Sequence, residues 1–231
     1  MSKYTEQLEQ AKQELQKIDS LLDNLYDDRL EVESNIEKAY FAKEECENQI
    51  ADLERRVKAD PFGEPAYHLL CIEGKNEHGS NLTGYVVCDG KYYVTNGYCI
   101  VALNQRPEVL EENKESRLSS KNATDMFAQV ATSRSKTVSA RDRAAFREIT
   151  AEVYRDRKPP YPHRIVEVEN AHINMRYLED VWEALEVDEN ATIYTYLCKA
   201  KNRYFNDSYG LVIETQNGVG IILGMSRRKE K

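Results

Sequence analysis

Several residues in this chain have side chains capable of catalysis, but their spacing does not match a known catalytic pattern. The sequence contains no GxxxxGK[ST], GxGxxG or GxSxG motif, so it predicts neither a phosphate-binding loop nor an exposed nucleophilic serine. The segment DGKYY at Asp89 and the glycines of residues 218–224 are typical of turns between strands. His163 and His172 flank an apolar segment, and no nucleophile can be assigned to them. We therefore expect no enzymatic activity.

Metal and cofactor chemistry is also not indicated. The five cysteines include no CxxC pair, and the four histidines form neither HxH nor HExxH. A zinc site needs clustered ligands, so we expect no metal and no cofactor. An odd number of unpaired cysteines favours reduced thiols in a reducing compartment.

A basic segment is the strongest candidate binding feature. Residues 114–164 hold 12 Lys or Arg against 6 Asp or Glu, although the whole chain has a net charge of −8. Such cations can neutralise phosphates, contact an acidic protein surface, or remain solvated. The candidate nucleic-acid or acidic-partner residues are Arg134, Lys136, Arg141, Arg143, Arg147, Arg155, Arg157 and Lys158. Arg143 and Arg147 would share a face if residues 141–154 form a helix.

The acidic N-terminal region predicts a coiled coil over residues 1–58. No Gly or Pro occurs between Tyr4 and Val57, and apolar residues recur with a mean spacing of 3.5. Such a stripe must be covered by another surface. The residues predicted to oligomerise the chain are Leu8, Leu15, Ile18, Leu22, Leu25, Val32, Ile36, Ile50, Leu53 and Val57.

Three arrangements of this region remain open. An intermolecular coiled coil is the leading expectation, but a parallel homodimer would place Glu14 opposite Asp19, which repel each other. The alternative is a helical hairpin that turns near Tyr26–Arg29 and folds residues 3–25 against 32–57. Arg29 at a stripe position favours the hairpin, whereas the absence of Gly and Pro opposes it. The third arrangement is a charged helix that lies on its own domain.

An α+β domain is expected from residue 66 to 231, after a linker at residues 59–65 that contains two prolines and a glycine. Asp89-Gly90 and Asn96-Gly97 are hairpin turn signals, and Asn217-Gly218 is a third. Helices are expected at 123–133, 141–154 and 171–187. Strands are expected at 67–73, 83–88, 91–95, 98–103, 164–170, 191–200, 208–216 and 219–226, so residues 164–226 read as a βαβββ unit.

Parts of this domain resemble a domain of the bacterial DNA polymerase sliding clamp. The segment VENAHINMRYLEDVWEAL, with Asn174, Tyr177 and Leu178, is similar to the clamp passage from strand to helix. GLVIETQNGVGIILGMSRR is similar to its closing hairpin, and VVCDGKYYVTNGYCIVAL to a strand pair around Asp-Gly. The resemblance implies a clamp-like fold and a link to DNA. A clamp ring contains several such domains, whereas this chain has room for one.

Two functional hypotheses follow. In the first, an oligomeric, non-enzymatic protein binds nucleic acid or a nucleic-acid-processing complex, as a module encoded by a phage or other mobile element. In the second, a protein-targeted inhibitor or adaptor uses its acidic coiled coil and makes no DNA contact. The sequence has no apolar run near the ~20 residues of a membrane span and no signal peptide, so we expect a cytoplasmic protein.

Overall fold

The chain divides into two compact units, Met1–Gly63 and Glu64–Lys231. The computed structural model describes residues 3–25, 32–75, 81–115, 125–128, 130, 133–139, 146–149, 164–199 and 206–225. The first unit is helical, and the second combines helices with antiparallel sheet. The predicted α+β class, with a helical region followed by a sheet domain, is confirmed.

The N-terminal unit is a helical hairpin. Helix α1 spans Lys3–Leu25 and helix α2 spans Val32–Ala59. Lys12 pairs with Glu54, and Asp19 pairs with Lys43, so the sequence runs in opposite directions along the two helices. The expectation of one continuous helix in an intermolecular coiled coil is therefore corrected in favour of the alternative hairpin. The hairpin pairs Asp19 with a lysine, whereas the parallel dimer would place it against a glutamate.

The apolar stripe is covered within the chain. Leu8, Ala11 and Leu53 form its buried core, against which Tyr4 and Ile50 pack. Of the other residues predicted for oligomerisation, Leu22 is buried, and Leu15, Ile18, Ile36 and Val57 are partly buried, while the side chains of Leu25 and Val32 lie outside the described residues. Self-association stays a prediction, and this stripe does not require it.

Helix α3, Glu64–Ile72, replaces the strand predicted at residues 67–73. A short apolar run does not distinguish a strand from a buried helix. Pro65 lies in the first turn, where a missing backbone N–H costs nothing. Helical spacing then buries Ala66, Leu69 and Leu70 on one side.

A seven-stranded antiparallel sheet forms the centre of the second unit. Its strands in sheet order are β3 (Val86–Cys88), β4 (Lys91–Thr95), β5 (Cys99–Leu103), β12 (Gly218–Ile222), β11 (Ser208–Glu214), β10 (Thr192–Cys198) and β6 (Arg134–Ser139). Every strand except β6 falls on a predicted strand. The Asp89-Gly90 turn has positive φ at both residues, 49° and 73°, as a tight hairpin requires. The C-terminal strand β12 lies between β5 and β11.

Helical segments pack on both faces of this sheet. One face carries a cluster that includes Tyr93, Ile100 and Val212, with the helical residues Phe127 and Val130 packed on it. Residues 125–128 and 130 are helical, within the helix predicted at 123–133. On the other face lies helix α4, Met175–Ala184, which is followed by Leu185. Gly220 permits the close approach, since a Cβ there would lie 2.3 Å from Val181 Cγ1.

A smaller antiparallel sheet leads into α4. It contains β7 (Phe146–Ile149), β8 (Ile165–Val168) and β9 (Ala171–Asn174) in that order, and β1 (Gly74–Lys75) pairs with β2 (Asn81–Leu82) elsewhere. Strand β7 contradicts the helix predicted at 141–154, because pairing with β8 outweighs local helix propensity. Residues 171–174 are likewise a strand, and the predicted helix begins only at Met175, capped by Asn174. The predicted βαβββ unit is therefore ββαβββ.

The described helices include none with both the length and the apolar character that crossing a bilayer demands.

Candidate functional site

A partly buried histidine–carboxylate cluster joins α3 to α4. His68 Nδ1 lies 3.0 Å from Asp180 Oδ1, and its Nε2 lies 3.5 Å from Glu64 Oε1. Asp180 is buried, and its second oxygen lies 4.0 Å from Arg176 Nε. Burial lowers the pKa of His68, but the hydrogen bond to Asp180 and the charges of Asp180, Glu64 and Glu183 outweigh it, so the pKa lies above its ordinary value.

The charge of Asp180 also acts on Cys99, which raises the question of whether Cys99, His68 and Asp180 form a catalytic Cys-His-Asp set. The Cys99 thiol is 3.5 Å from Asn96 Oδ1. Burial, followed by the charge of Asp180, raises the pKa of this thiol far above its ordinary value, and the side chain is buried. A nucleophilic cysteine needs a lowered pKa and access to substrate. This geometry suits a structural contact between α3, α4 and the sheet rather than nucleophilic catalysis.

Sequence reasoning missed this cluster. His68 and Asp180 are 112 residues apart, and His68 was assigned to a strand. The i, i+4 spacing of Glu64 and His68 was the available signal, but it has meaning only once the segment is known to be helical. Within the described part of the chain, no group of three His, Cys, Asp or Glu residues is arranged to hold a metal ion.

The predicted basic residues are distributed over several elements. Arg134 and Lys136 lie on β6, whose only partner among the described strands is β10, so β6 is an edge strand. Arg147 lies on β7, an edge strand of the small sheet as described. In the backbone register it lies opposite Glu167 of β8. The shared helical face proposed for Arg143 and Arg147 is therefore wrong for Arg147. Arg141, Arg143, Arg155, Arg157 and Lys158 lie outside the described residues.

The hairpin leaves large apolar side chains exposed towards its turn. Leu21 is 59% exposed, Tyr40 48% and Phe41 50%. Lys43 donates a hydrogen bond to Asp19 and so connects the two helices. This bond also raises the pKa of Lys43. Asp19 is two residues from Leu21 in the sequence, and Lys43 is two residues from Phe41. We call residues 13–25 and 32–50, the half of the hairpin nearer the turn, the distal arm.

Carboxylates dominate the distal arm. It contains eight Asp or Glu and three Lys or Arg. The exposed acidic side chains include Glu14, Glu37, Glu44, Glu45 and Glu47. Exposed apolar residues surrounded by charge are typical of surfaces that bind another macromolecule.

A second exposed aromatic surface lies at one end of the seven-stranded sheet. Tyr98, in the turn between β4 and β5, stacks on Tyr177 of α4 with ring centroids 5.6 Å apart and an angle of 8° between the rings. Leu223 donates its backbone N–H to Tyr98 O at 2.9 Å. Tyr98 is 49% exposed and Leu223 40%. We call Tyr98, Tyr177 and Leu223 the tyrosine platform.

Comparison with known proteins adds no assignment to these surfaces. No protein-family model, no curated protein and no solved structure matches the chain. The clamp resemblance therefore remains an expectation from residues 66–105 and 160–226, and any function must be argued from the surfaces described above.

Proposed function

We propose that this chain is a non-enzymatic adaptor whose distal arm binds a partner protein. One observation carries the proposal: Leu21, Tyr40 and Phe41 are about half exposed on helices whose apolar stripe is already covered. Covering three large side chains would remove apolar area from water, at about 25 cal/mol per Å². Their exposure is costly to a lone chain and useful for binding.

The charge of the distal arm specifies the partner. Its excess of carboxylates attracts a basic surface and repels an acidic one, which accelerates association and excludes wrong partners. A basic protein surface with an apolar depression would complement both features. Proteins that bind nucleic acid often carry basic surfaces of this kind. The proposed partner of the arm is therefore a protein of a nucleic-acid-processing complex.

Affinity capture from the native host, with the full chain as bait, tests the proposal. The arm variant Leu21→Ser/Phe41→Ser should lose a defined basic protein that the wild type captures. The control Gln16→Ser/Gln49→Ser changes exposed polar residues on the same two helices and should keep it. Circular dichroism verifies that all three proteins are equally helical. Equal capture by the arm variant and the wild type would refute the proposal.

Nucleic acid is the second candidate partner, supported by Arg134 and Lys136 on an edge strand. Cations there would neutralise phosphates without reading sequence. Under this second proposal, the chain would be a clamp-like module encoded by a phage or other mobile element. Duplex DNA binding should weaken steeply with salt, and further in Arg134→Glu/Lys136→Glu. Absence of binding at low salt would exclude it.

A further inference from the structure

The turn between β11 and β12 contacts the C-terminal end of α4 through the side chain of Asn217. Asn217 Nδ2 donates hydrogen bonds to Leu185 O at 3.2 Å and to Glu186 Oε2 at 2.9 Å. Leu185 is the C-terminal cap of the helix, and Glu186 ends it with a positive φ of 50°. The neutral amide of Asn217 therefore satisfies an acceptor at the negative end of the helix dipole.

Asn217 is followed by a glycine, and an Asn-Gly pair can lose the side-chain nitrogen without an enzyme. The glycine nitrogen attacks Cγ of the asparagine, a C–N bond closes a succinimide ring, and ammonia leaves; a glycine has no Cβ to hinder this approach. Water then opens the ring, so that amide and water have become aspartate or isoaspartate and ammonia. Water reaches this turn, since Gln216 is exposed and Asn217 is partly exposed, although Gly218 is buried.

The fold restrains the other Asn-Gly pair of the chain, Asn96-Gly97. The Gly97 N–H donates to Thr95 Oγ1 at 3.0 Å, so the attacking nitrogen is already engaged. Asn96 Oδ1 accepts the backbone N–H of Tyr98 at 2.8 Å and of Cys99 at 2.9 Å, which fixes the side chain. Ring closure at Asn96 must therefore break several hydrogen bonds at once.

The nitrogen of Gly218 is less restrained. Asn104 donates its N–H to Asn217 O, so Gly218 lies opposite Leu103 in a pair whose own N–H groups point away from each other. The Gly218 carbonyl accepts the N–H of Thr215 at 2.9 Å, but the Gly218 N–H has no acceptor among the described residues.

We propose that Asn217-Gly218 is a site of spontaneous deamidation, and that the carboxylate formed there releases the turn from the end of α4. Both hydrogen bonds donated by the amide are lost, because a carboxylate only accepts. The new charge also faces the Glu186 carboxylate and the negative end of the helix, and both repel it. The inference uses no residue of the distal arm and does not depend on the arm proposal.

Asn96 provides the contrasting case within the same chain. Its side chain acts as an acceptor of two backbone N–H groups, and a carboxylate accepts such bonds more strongly than an amide does. Conversion of Asn96 should therefore leave its turn intact, whereas conversion of Asn217 should not.

Peptide mapping by mass spectrometry tests the site, with the full chain aged in a mildly alkaline buffer. In the folded protein, Asn217 should convert several times faster than Asn96. In concentrated urea the two should convert at similar rates, because each is followed by glycine and the fold no longer restrains either.

Two substitutions reproduce the aspartate products. Asn217→Asp should lower the melting temperature by about 5 °C and speed hydrogen exchange of the backbone amides of residues 181–187. Asn96→Asp is the matched control and should shift the melting temperature by less than about 2 °C. Aged wild type, compared with fresh protein, gives the same exchange measurement without a substitution.

Three results would overturn the proposal. The first is conversion of Asn96 in the folded protein that is as fast as that of Asn217. The second is a ratio of the two rates that is the same in urea as in the folded protein. The third is equal melting temperatures for Asn217→Asp and the wild type.

Discussion

His68 makes the stability of the second unit depend on pH. Its pKa is raised in the folded protein, so its contribution is complete below the unfolded pKa, near 6.5, and is lost as pH rises through the folded pKa. The groups around the ring are Asp180, Glu64, Glu183 and the Tyr67 ring, which packs edge-on at 4.9 Å. We expect the free energy of unfolding, measured in urea, to fall as the pH rises above the ordinary histidine pKa of about 6.5.

The His68→Gln variant separates this histidine from the other titrating groups. It should flatten the decline in stability over that pH range. His172→Gln is the matched control, since His172 contacts Glu167 in the small sheet instead of joining two helices. An unchanged pH profile in His68→Gln would contradict the assignment.

Tyr196 carries a buried hydroxyl that makes no hydrogen bond within the described part of the chain. Burial, followed by the nearby Cys198 thiol, raises the pKa of Tyr196, and a thiol is a weak hydrogen-bond partner. Because a buried polar group without a good partner is destabilising, Tyr196→Phe should raise the free energy of unfolding by about 1 kcal/mol. Chemical denaturation measures this change. A destabilised variant would show that the hydroxyl has a partner after all.

At the scale of elements, the contact between α4 and β12 depends on a glycine. A Cβ at Gly220 would lie 2.3 Å from Val181 Cγ1 and 3.0 Å from Leu185 Cδ1. Val181 is β-branched and on a helix, so its side chain has little freedom to move away. We expect Gly220→Ala to destabilise the protein by about 1–3 kcal/mol in denaturation experiments.

A double-mutant cycle identifies the cause. Val181→Ala alone leaves a cavity and should also be destabilising. If the clash with Cγ1 is responsible, the double variant should be less destabilised than the sum of the two single variants. Strict additivity would mean that Gly220 matters for another reason.

The elements that the sequence predicted correctly are those with local signals. Strands β4 and β5 are bounded by Asp89-Gly90 and Asn96-Gly97, and α4 carries a clear apolar stripe. Helix α3 and strand β7 were mispredicted because their short segments take the conformation that their neighbours impose. The His68–Asp180 contact and the Tyr98–Tyr177 stack depend on tertiary folding, so neither candidate site could be located from sequence spacing alone.

At the scale of the molecule, β12 completes the large sheet. It pairs with β5 on one side and β11 on the other, linking strands more than 100 residues apart in sequence. A chain stopped after Thr215 would leave both neighbours with unpaired edges. We expect such a chain to be insoluble, since open apolar edges associate with other chains. The measurement is the soluble fraction after expression.

A chain stopped after Met225 is the control, because it keeps β12 and its pairing. It should remain soluble and fold. Solubility and full protease resistance of the shorter chain would mean that β12 is dispensable.

This topology also has a consequence during synthesis. While the ribosome is still translating, β5 emerges long before the strand that will lie beside it. The nascent polypeptide must therefore keep one edge of an apolar strand from pairing with other chains for about half of its elongation, which proceeds at about 5–20 residues per second. A slow final folding step is expected for this chain, because β5 and β11 are both fully paired only once β12 is in place.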